Sequence, residues 1–295
     1  MRHRVAFLAL LLSIAAPALA GDPPPYSLPW QLRPAAIGTV LRWDSVVADY
    51  EDASGNSGRT LVSFLLLSYK VNDKLAPMIR VGYVDNDPPV GKDGNAYVNP
   101  AVGATYLIRP SDDWRVGLFL GLTIPVGQGA GNSPNPATST AVKSGPLARS
   151  AMDNAMFSVN DATLFPGVDI AYVHGGFTFQ GEVTLFELHR VHGDRVQVDD
   201  NKTNLTSGVH FGYFFGPHFS LGGEVRYQRW LTTPSFVEAN EKLRDNLSVA
   251  AGPRFHFKVG KNVKMRPGIA YATGLDGPID DLKYSIVQID VPIYF

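Results

Sequence analysis

The feature that most constrains the fold is a series of short segments in which apolar and polar residues alternate, separated by connections that are short and long in turn. About twelve such segments of roughly ten residues follow residue 37. The short connections are turn-like, as in HGG at 174–176 and FGPH at 215–218, whereas residues 127–161 form the longest connection. This pattern predicts an all-β protein: a transmembrane antiparallel up-and-down β-barrel with short periplasmic turns and long extracellular loops.

The first residues of the chain predict export. Two arginines, an apolar stretch and an A-x-A cleavage site occupy residues 1–20 and are typical of a secretory signal peptide. Residues 21–36 are Pro-rich and we expect an extended lead-in there, followed by a single barrel domain over residues 37–295. After residue 20 no stretch supplies the roughly 18 apolar residues of a membrane-spanning helix. The chain has no Cys, so disulfides cannot stabilise the fold.

The position of aromatic residues indicates which strand face meets lipid. In RVGLFLGLTIPV, Leu118, Leu120 and Leu122 share a face opposite Gly117 and Phe119, but alternation alone does not separate a soluble barrel from a membrane barrel. Aromatic rings cluster beside the short turns, as the interfacial girdle of a membrane barrel requires. They are Tyr106, Trp114, Tyr172, Phe177, Tyr213, Phe219, Phe257 and Phe295. The sequence therefore predicts that the apolar face meets lipid.

The opposite face then lines the lumen and carries many charges, which are tolerable there only beside water or each other. The candidate lumen-lining and selectivity residues are Arg42, Asp44, Arg80, Arg115, Asp169, Glu182, His210, Glu224, Arg226, Arg254, His256, Lys264, Arg266 and Asp290. Two interpretations stay open: the basic residues form a ladder that favours anions, or acidic residues pair with them and seal the wall. Arg42 and Asp290 lie on the strands that meet at barrel closure, so we expect this pair to be structural.

The connection over residues 127–161 is too long to be an ordinary loop. It begins with the flexible-looking GQGAGNSPNPATST and continues into GPLARSAMDNAM, for which we expect a short helix. Three alternatives remain: the segment constricts the barrel from within, caps it from outside, or is a surface loop.

The last segment, VQIDVPIYF, resembles the C-terminal signal of bacterial outer-membrane proteins, whose final strand ends on Phe. This resemblance implies a Gram-negative outer-membrane β-barrel of the porin or channel kind, whose assembly machinery recognises Tyr294 and Phe295. More faintly, the pattern is similar to outer-membrane channels associated with aromatic-compound degradation. We carry no substrate over from that likeness.

The sequence predicts a passive channel or uptake porin for small solutes, gated by residues 127–161. The alternatives are a non-conducting structural or adhesive barrel and, less favoured, a lipid-modifying enzyme. We expect no catalytic site, no cofactor and no metal. The expected partners are outer-membrane lipid and lipopolysaccharide, the barrel-assembly machinery and a small-molecule solute; a formal net charge of −1 gives no reason to expect nucleic acid.

Overall fold

The structure is a computed structural model that describes residues 25–132, 135–194, 197–260 and 262–295. The expected signal peptide at residues 1–20 lies outside the described residues. Within the described ranges no helix is long and apolar enough to cross a membrane.

Strands dominate the described residues, as the alternating segments predict. They are β1 Val40–Glu51, β2 Ser57–Ser68, β3 Leu75–Asp87, β4 Gly94–Tyr97, β5 Ala101–Ile108, β6 Trp114–Thr123, β7 Asp161–His174, β8 Phe177–Arg190, β9 Asn201–Phe214, β10 Phe219–Trp230, β11 Asp245–Phe255, β12 Phe257–Val259, β13 Val263–Met265, β14 Gly268–Asp276 and β15 Ser285–Tyr294. Helices are short and lie in the connections: α1 Pro136–Ala148, α2 Asn154–Phe157, α3 Gln197–Asp200, α4 Ser235–Ala239 and α5 Pro278–Asp281, with a 3₁₀ turn at Glu241–Leu243.

The strands form a closed antiparallel barrel. In the residues that the structure describes, twelve strands follow one another around it in the order β1-β2-β3-β5-β6-β7-β8-β9-β10-β11-β14-β15. Pairing of β1 with β15, from Val40 opposite Tyr294 to Asp49 opposite Ser285, completes the circle. The short strand β4 extends the sheet beside β3, and β12 and β13 form a small hairpin at the short-turn end. The predicted up-and-down barrel is confirmed.

The turn between β7 and β8 shows how the sequence fixes the register. Gly175 and Gly176 both have positive φ, 55° and 89°, and together form the two-residue connection. Positive φ at both positions suits the twist of adjacent strands and favours glycine strongly. The register that follows brings Tyr172 opposite Phe179 on the outer face.

The outer face of the barrel is apolar, as predicted. Leu118, Leu120 and Leu122 are 43%, 55% and 45% exposed, whereas Phe119 between them points inward and is 6% exposed. Aromatic side chains form a band beside the short turns: Trp114 contacts Tyr172, and Phe177 contacts Tyr213 with ring centroids 4.4 Å apart. An apolar belt bounded by aromatic rings around a closed barrel is the surface of a protein that sits in an outer membrane.

The N-terminal segment, defined here as residues 26–37, lies inside the barrel. It enters at the short-turn end, reaches the middle of the interior at Trp30–Arg33 and returns to the rim at the same end before β1. The side chains of Tyr26, Leu28, Trp30 and Leu32 are at most 5% exposed. The extended lead-in expected at residues 21–36 did not include its enclosure in the barrel.

The described residues of the connection between β6 and β7 fold into the barrel from the long-loop end. Met156 and Phe157 of α2 are buried, and Phe157 packs edge-on against Phe64 of β2 with ring centroids 5.9 Å apart. Of the three alternatives for this connection, the described residues adopt the inward-folded one. Helix α1 begins at Pro136, earlier than the helix expected within residues 145–156.

Candidate functional site: the barrel interior

The N-terminal segment is held by carboxylates on the inner faces of β7, β8 and β10. Glu224 accepts hydrogen bonds from the backbone N–H of Trp30 and of Gln31. Glu182 accepts one from the backbone N–H of Arg33. Amide donors that a loop would normally direct to water are therefore satisfied by the barrel wall, as buried backbone groups require.

The side chain of Arg33 anchors the same segment by charge. Its guanidinium donates to both carboxylate oxygens of Asp169 at 3.0 and 3.2 Å and to Oγ1 of Thr184 at 3.0 Å. It also lies over the ring of Phe119, 4.2 Å from the centroid. A bidentate Arg–carboxylate pair in a buried setting fixes geometry strongly, so Arg33 sets the position of the segment against the wall.

Residues 124–160 are held by a second ion-pair network, which we call the loop clamp: Asp44, Arg80, Arg149 and Asp153. Arg149 is fully buried and donates to both oxygens of Asp44 at 2.9 and 2.6 Å and to Asp153 at 2.8 Å. Arg80 of β3 pairs with Asp153 at 2.5 Å. Arg80 and Arg149 both lie over the ring of Phe64, 4.1 and 5.0 Å from its centroid.

Electrostatics favours the ionised form of the loop clamp. Burial alone would raise the pKa of Asp153, but the guanidinium groups of Arg80 and Arg149 lower it below its ordinary value. Two arginines facing two aspartates leave the network neutral as a whole. A buried pair of this kind is costly to break because it leaves an uncompensated charge.

A cavity of about 120 Å³ remains between the loop clamp and the N-terminal segment. Its polar lining includes Gln31, Arg33 and Asp153, and its apolar lining includes the rings of Phe119 and Phe165. The interior is therefore divided into two filled regions with a small space between them.

The structure brings most of the predicted lumen residues together in the interior. Those in ion pairs are Arg42, Asp44, Arg80, Asp169, Glu182, Glu224, Arg226, Arg254 and Asp290. The expected pair at barrel closure is present, with Nε of Arg42 at 2.7 Å from Oδ1 of Asp290. Charge pairing thus matches the sealed-wall interpretation for these residues, and their role in selectivity stays a prediction.

The remaining candidates lie nearer the short-turn end. His210 is buried beside Ser27, and His256 hydrogen bonds to Ser220. Arg115 lies over the ring of Tyr26, and the guanidinium of Arg266 donates to the backbone carbonyl of Tyr26 at 3.1 Å. Among the described residues, Arg115 and Arg266 make no ion pair. The remaining candidates are thus held mainly by contacts with the N-terminal segment and neighbouring side chains.

Lys264 lies on the side of the lumen candidates but is not enclosed. It lies on the hairpin of β12 and β13, where its side chain is exposed at the rim of the barrel. Its backbone pairs with Tyr294, but this register position lies beyond the end of the enclosed wall. Directly paired residues of antiparallel strands share a face, so Lys264 lies on the same inner face as Tyr294, at the open rim of the barrel.

Several residues of the interior were not among the sequence candidates, namely Trp30, Arg33, Arg149 and Asp153. Arg149 and Asp153 are four residues apart, a spacing that brings side chains together in helical turns and could have drawn attention. Within the described ranges no group of three or more His, Cys, Asp or Glu residues could hold a metal ion.

No family model and no curated protein matches the chain. Among solved structures, the chain is similar to the COG4313 outer membrane channel from Pseudomonas putida F1, with 10% identity, a TM-score of 0.56, and coverage of 90% of this chain and 98% of that one. It also matches the NanC porin, with 11% identity, a TM-score of 0.49 and coverage of 86% and 98%. The KdgM porin in complex with disordered oligogalacturonate matches with 10% identity, a TM-score of 0.48 and coverage of 87% and 99%.

At such low identity, likeness shows the fold alone. The chain has the fold of an outer-membrane β-barrel of the porin and channel kind, and the predicted resemblance at that level is confirmed.

Proposed function

We propose that the chain is an outer-membrane channel that lets small solutes diffuse through the barrel interior, with residues 127–161 as its gate. The observation that carries this proposal is the cavity that lies between the loop clamp and the N-terminal segment. A barrel of this strand number lies between the small barrels filled by side chains and the wide aqueous porins. Two chain segments fill the interior together with the wall side chains, so movement of either segment would widen the path.

The gate is assigned to residues 127–161 because ion pairs with the barrel wall hold the inner part of this segment. The loop clamp fixes Arg149 and Asp153 of this segment to Asp44 of β1 and Arg80 of β3. Ion pairs that join a movable segment to a fixed wall hold one arrangement until the charges separate and become hydrated. Opening would move α1 and α2 outward while the barrel wall stays closed.

A test is the recording of single-channel currents from purified, refolded protein in planar bilayers, comparing the wild type with Arg149→Ala. We expect discrete steps in the wild type and more frequent or longer openings in the variant, because Asp44 loses its buried partner. The matched control is Arg59→Ala, which removes an arginine from the exposed pair with Asp49 on the same barrel. If the wild type and Arg149→Ala are both shown to be folded and neither gives single-channel currents, the proposal is refuted.

A second candidate is a non-conducting structural barrel, which the filling of both ends of the interior favours. This alternative predicts no steps in any of the three proteins. A lipid-modifying enzyme would need a nucleophile and a histidine at the lipid face; His210 and His256 lie on the inner face. As partners we propose outer-membrane lipid and lipopolysaccharide, the barrel-assembly machinery acting on Tyr294 and Phe295, and the solute itself.

A further inference from the structure

The N-terminal segment does not fill the short-turn half of the interior evenly. Its hydrogen bonds in the described structure go to β1, β7–β10 and β15 and to Arg266, through partners such as Glu182, Glu224 and Gln288. None of those described goes to β2, β3 or β5. The segment is therefore bound to one side of the barrel and merely faces the other.

A second cavity of about 80 Å³ lies on the unbound side. It is lined by Leu66 and Ser68 of β2, Ala76 and Met78 of β3 and Thr105 of β5, and it reaches the rim at Tyr294. Between Arg80 and the short-turn end, this inner wall carries no charged side chain. It contrasts with the opposite wall, where acidic and basic residues hold the segment.

The two cavities adjoin each other. Both are lined by Arg33, Pro34, Arg42, Leu66 and Met78, which form a neck between them. The two guanidinium groups at the neck are each paired with a carboxylate: Arg33 with Asp169 at 3.0 Å, and Arg42 with Asp290 at 2.7 Å, a carboxylate that also pairs with Arg254 at 2.6 Å. The neck thus presents no unpaired charge to a passing ion, and it offers the apolar side chains of Leu66 and Met78 instead.

The first cavity also contains one polar group without a partner. Both Nε2 and Oε1 of the Gln31 amide are buried and unpaired, and Gln31 lines the cavity. Buried polar atoms are normally hydrogen-bonded, so this amide would bond to a solute or to water once the Gln31 side chain turns towards the cavity. The size of the cavity suits a compact molecule, since an engineered cavity of ~150 Å³ accommodates benzene.

From these observations we infer, on the basis of the proposed channel function, a defined route for its solutes. Small, uncharged, mainly apolar molecules with a hydrogen-bonding group pass through the two adjoining cavities, along the inner wall of β2, β3 and β5. The N-terminal segment stays bound to the opposite wall during passage. Leu66 and Met78 at the neck determine which solutes pass, and Gln31 binds their polar group midway.

The absence of Cys from the chain allows a direct test with single-cysteine variants. Leu66→Cys and Met78→Cys place a thiol at the neck. Thr178→Cys is the control: Thr178 is fully buried under the N-terminal segment, where it accepts a hydrogen bond from the backbone N–H of Ser27. Each folded variant is treated with methyl methanethiosulfonate, which is small and uncharged, or with its anionic sulfonatoethyl relative, and labelling is followed by mass spectrometry.

We expect the uncharged reagent to label both neck thiols at least ~10-fold faster than Thr178→Cys, since a site reached only by local opening reacts in proportion to its open population. The anionic reagent should label the neck slowly. Equal labelling rates at all three positions would mean that the N-terminal segment leaves the wall, and this would overturn the inference. The inference would also fail if the neck thiols did not react, or if both reagents labelled them at the same rate. Single-channel steps in the wild type would stand in each of these cases, so the route can fail without the channel function failing.

Discussion

Arg33 is the residue whose loss should most clearly release the N-terminal segment. Its side chain is 15% exposed, and its partners Asp169 and Glu182 are 0% and 7% exposed. Arg33→Ala leaves these two carboxylates buried and without their counter-ion. Breaking a buried pair in this way costs about 3–5 kcal/mol. Because about 1.4 kcal/mol corresponds to a factor of ten, the released population should rise by roughly two to three and a half orders of magnitude.

Two measurements test this expectation. Hydrogen exchange of residues 26–37 should be faster in Arg33→Ala, and planar bilayers should show larger and more frequent openings, because the short-turn half of the interior is emptied. Arg59→Ala, which breaks an exposed pair with Asp49, should change stability by about 0–1 kcal/mol and leave both readouts as in the wild type.

A second substitution separates loss of charge from loss of packing. Adding Asp169→Asn to Arg33→Ala removes one orphaned carboxylate, so exchange should slow partway back towards the wild type. If Arg33→Ala exchanges and conducts like the wild type, the segment is not held by this ion pair and the reasoning is wrong.

Three further outcomes are expected. Leu120→Arg puts a charge on the lipid face and should reduce assembled protein through a cost of about 2–4 kcal/mol, whereas Leu120→Met should not, as heat-modifiable gel mobility would report. The guanidinium groups of Arg80 and Arg149 lower the pKa of Asp153, so the stabilisation that Asp153 gives to the loop clamp is present above its unfolded pKa and is lost as pH falls through the folded one. The difference in opening frequency between the wild type and Asp153→Asn should therefore stay constant from pH 7 to about 4 and shrink below that. Deleting Phe295 should lower outer-membrane levels in cells, while refolding of the purified chain is retained.

The barrel could be predicted because its signals are local. Each strand has a two-residue period, and each short turn has Gly, Pro, Asn or Asp, so the face that meets lipid can be found from spacing alone. In β15, Val287 and Ile289 are each 39% exposed, while Gln288 and Asp290 between and after them are fully buried. The predicted alternation of the last strand therefore holds residue by residue.

The contents of the barrel were harder to predict because they depend on distant partners. A Pro-rich stretch is typical of a linker, yet Tyr26, Leu28, Trp30 and Leu32 place a large apolar side chain at every second position. This pattern was a usable signal of burial. What no local pattern supplies is the match between Arg33 and a carboxylate pair more than a hundred residues away.

The helix in the loop shows a missed local signal. Asn135 caps α1 by accepting from the backbone N–H of Ala137, and Pro136 occupies the first turn, a combination that favours a helix start there. The helix ends before Ser150 and Ala151, which have positive φ of 51° and 56°. Two such residues in succession turn the chain into the barrel, and they explain why the helix does not continue through residues 145–156.

The strand number and the inserted segments have different roles in permeability. A barrel of this width would leave a gap if only wall side chains filled it. The N-terminal segment and the inward-folded part of the β6–β7 connection fill that gap from opposite ends, and each is held by charged side chains of the wall. Substitutions that remove a wall charge therefore act through the segment it holds: Asp169 on one side and Asp44 on the other. Because the walls themselves are closed by backbone pairing, the pore width should change in two steps, one for each segment, rather than continuously.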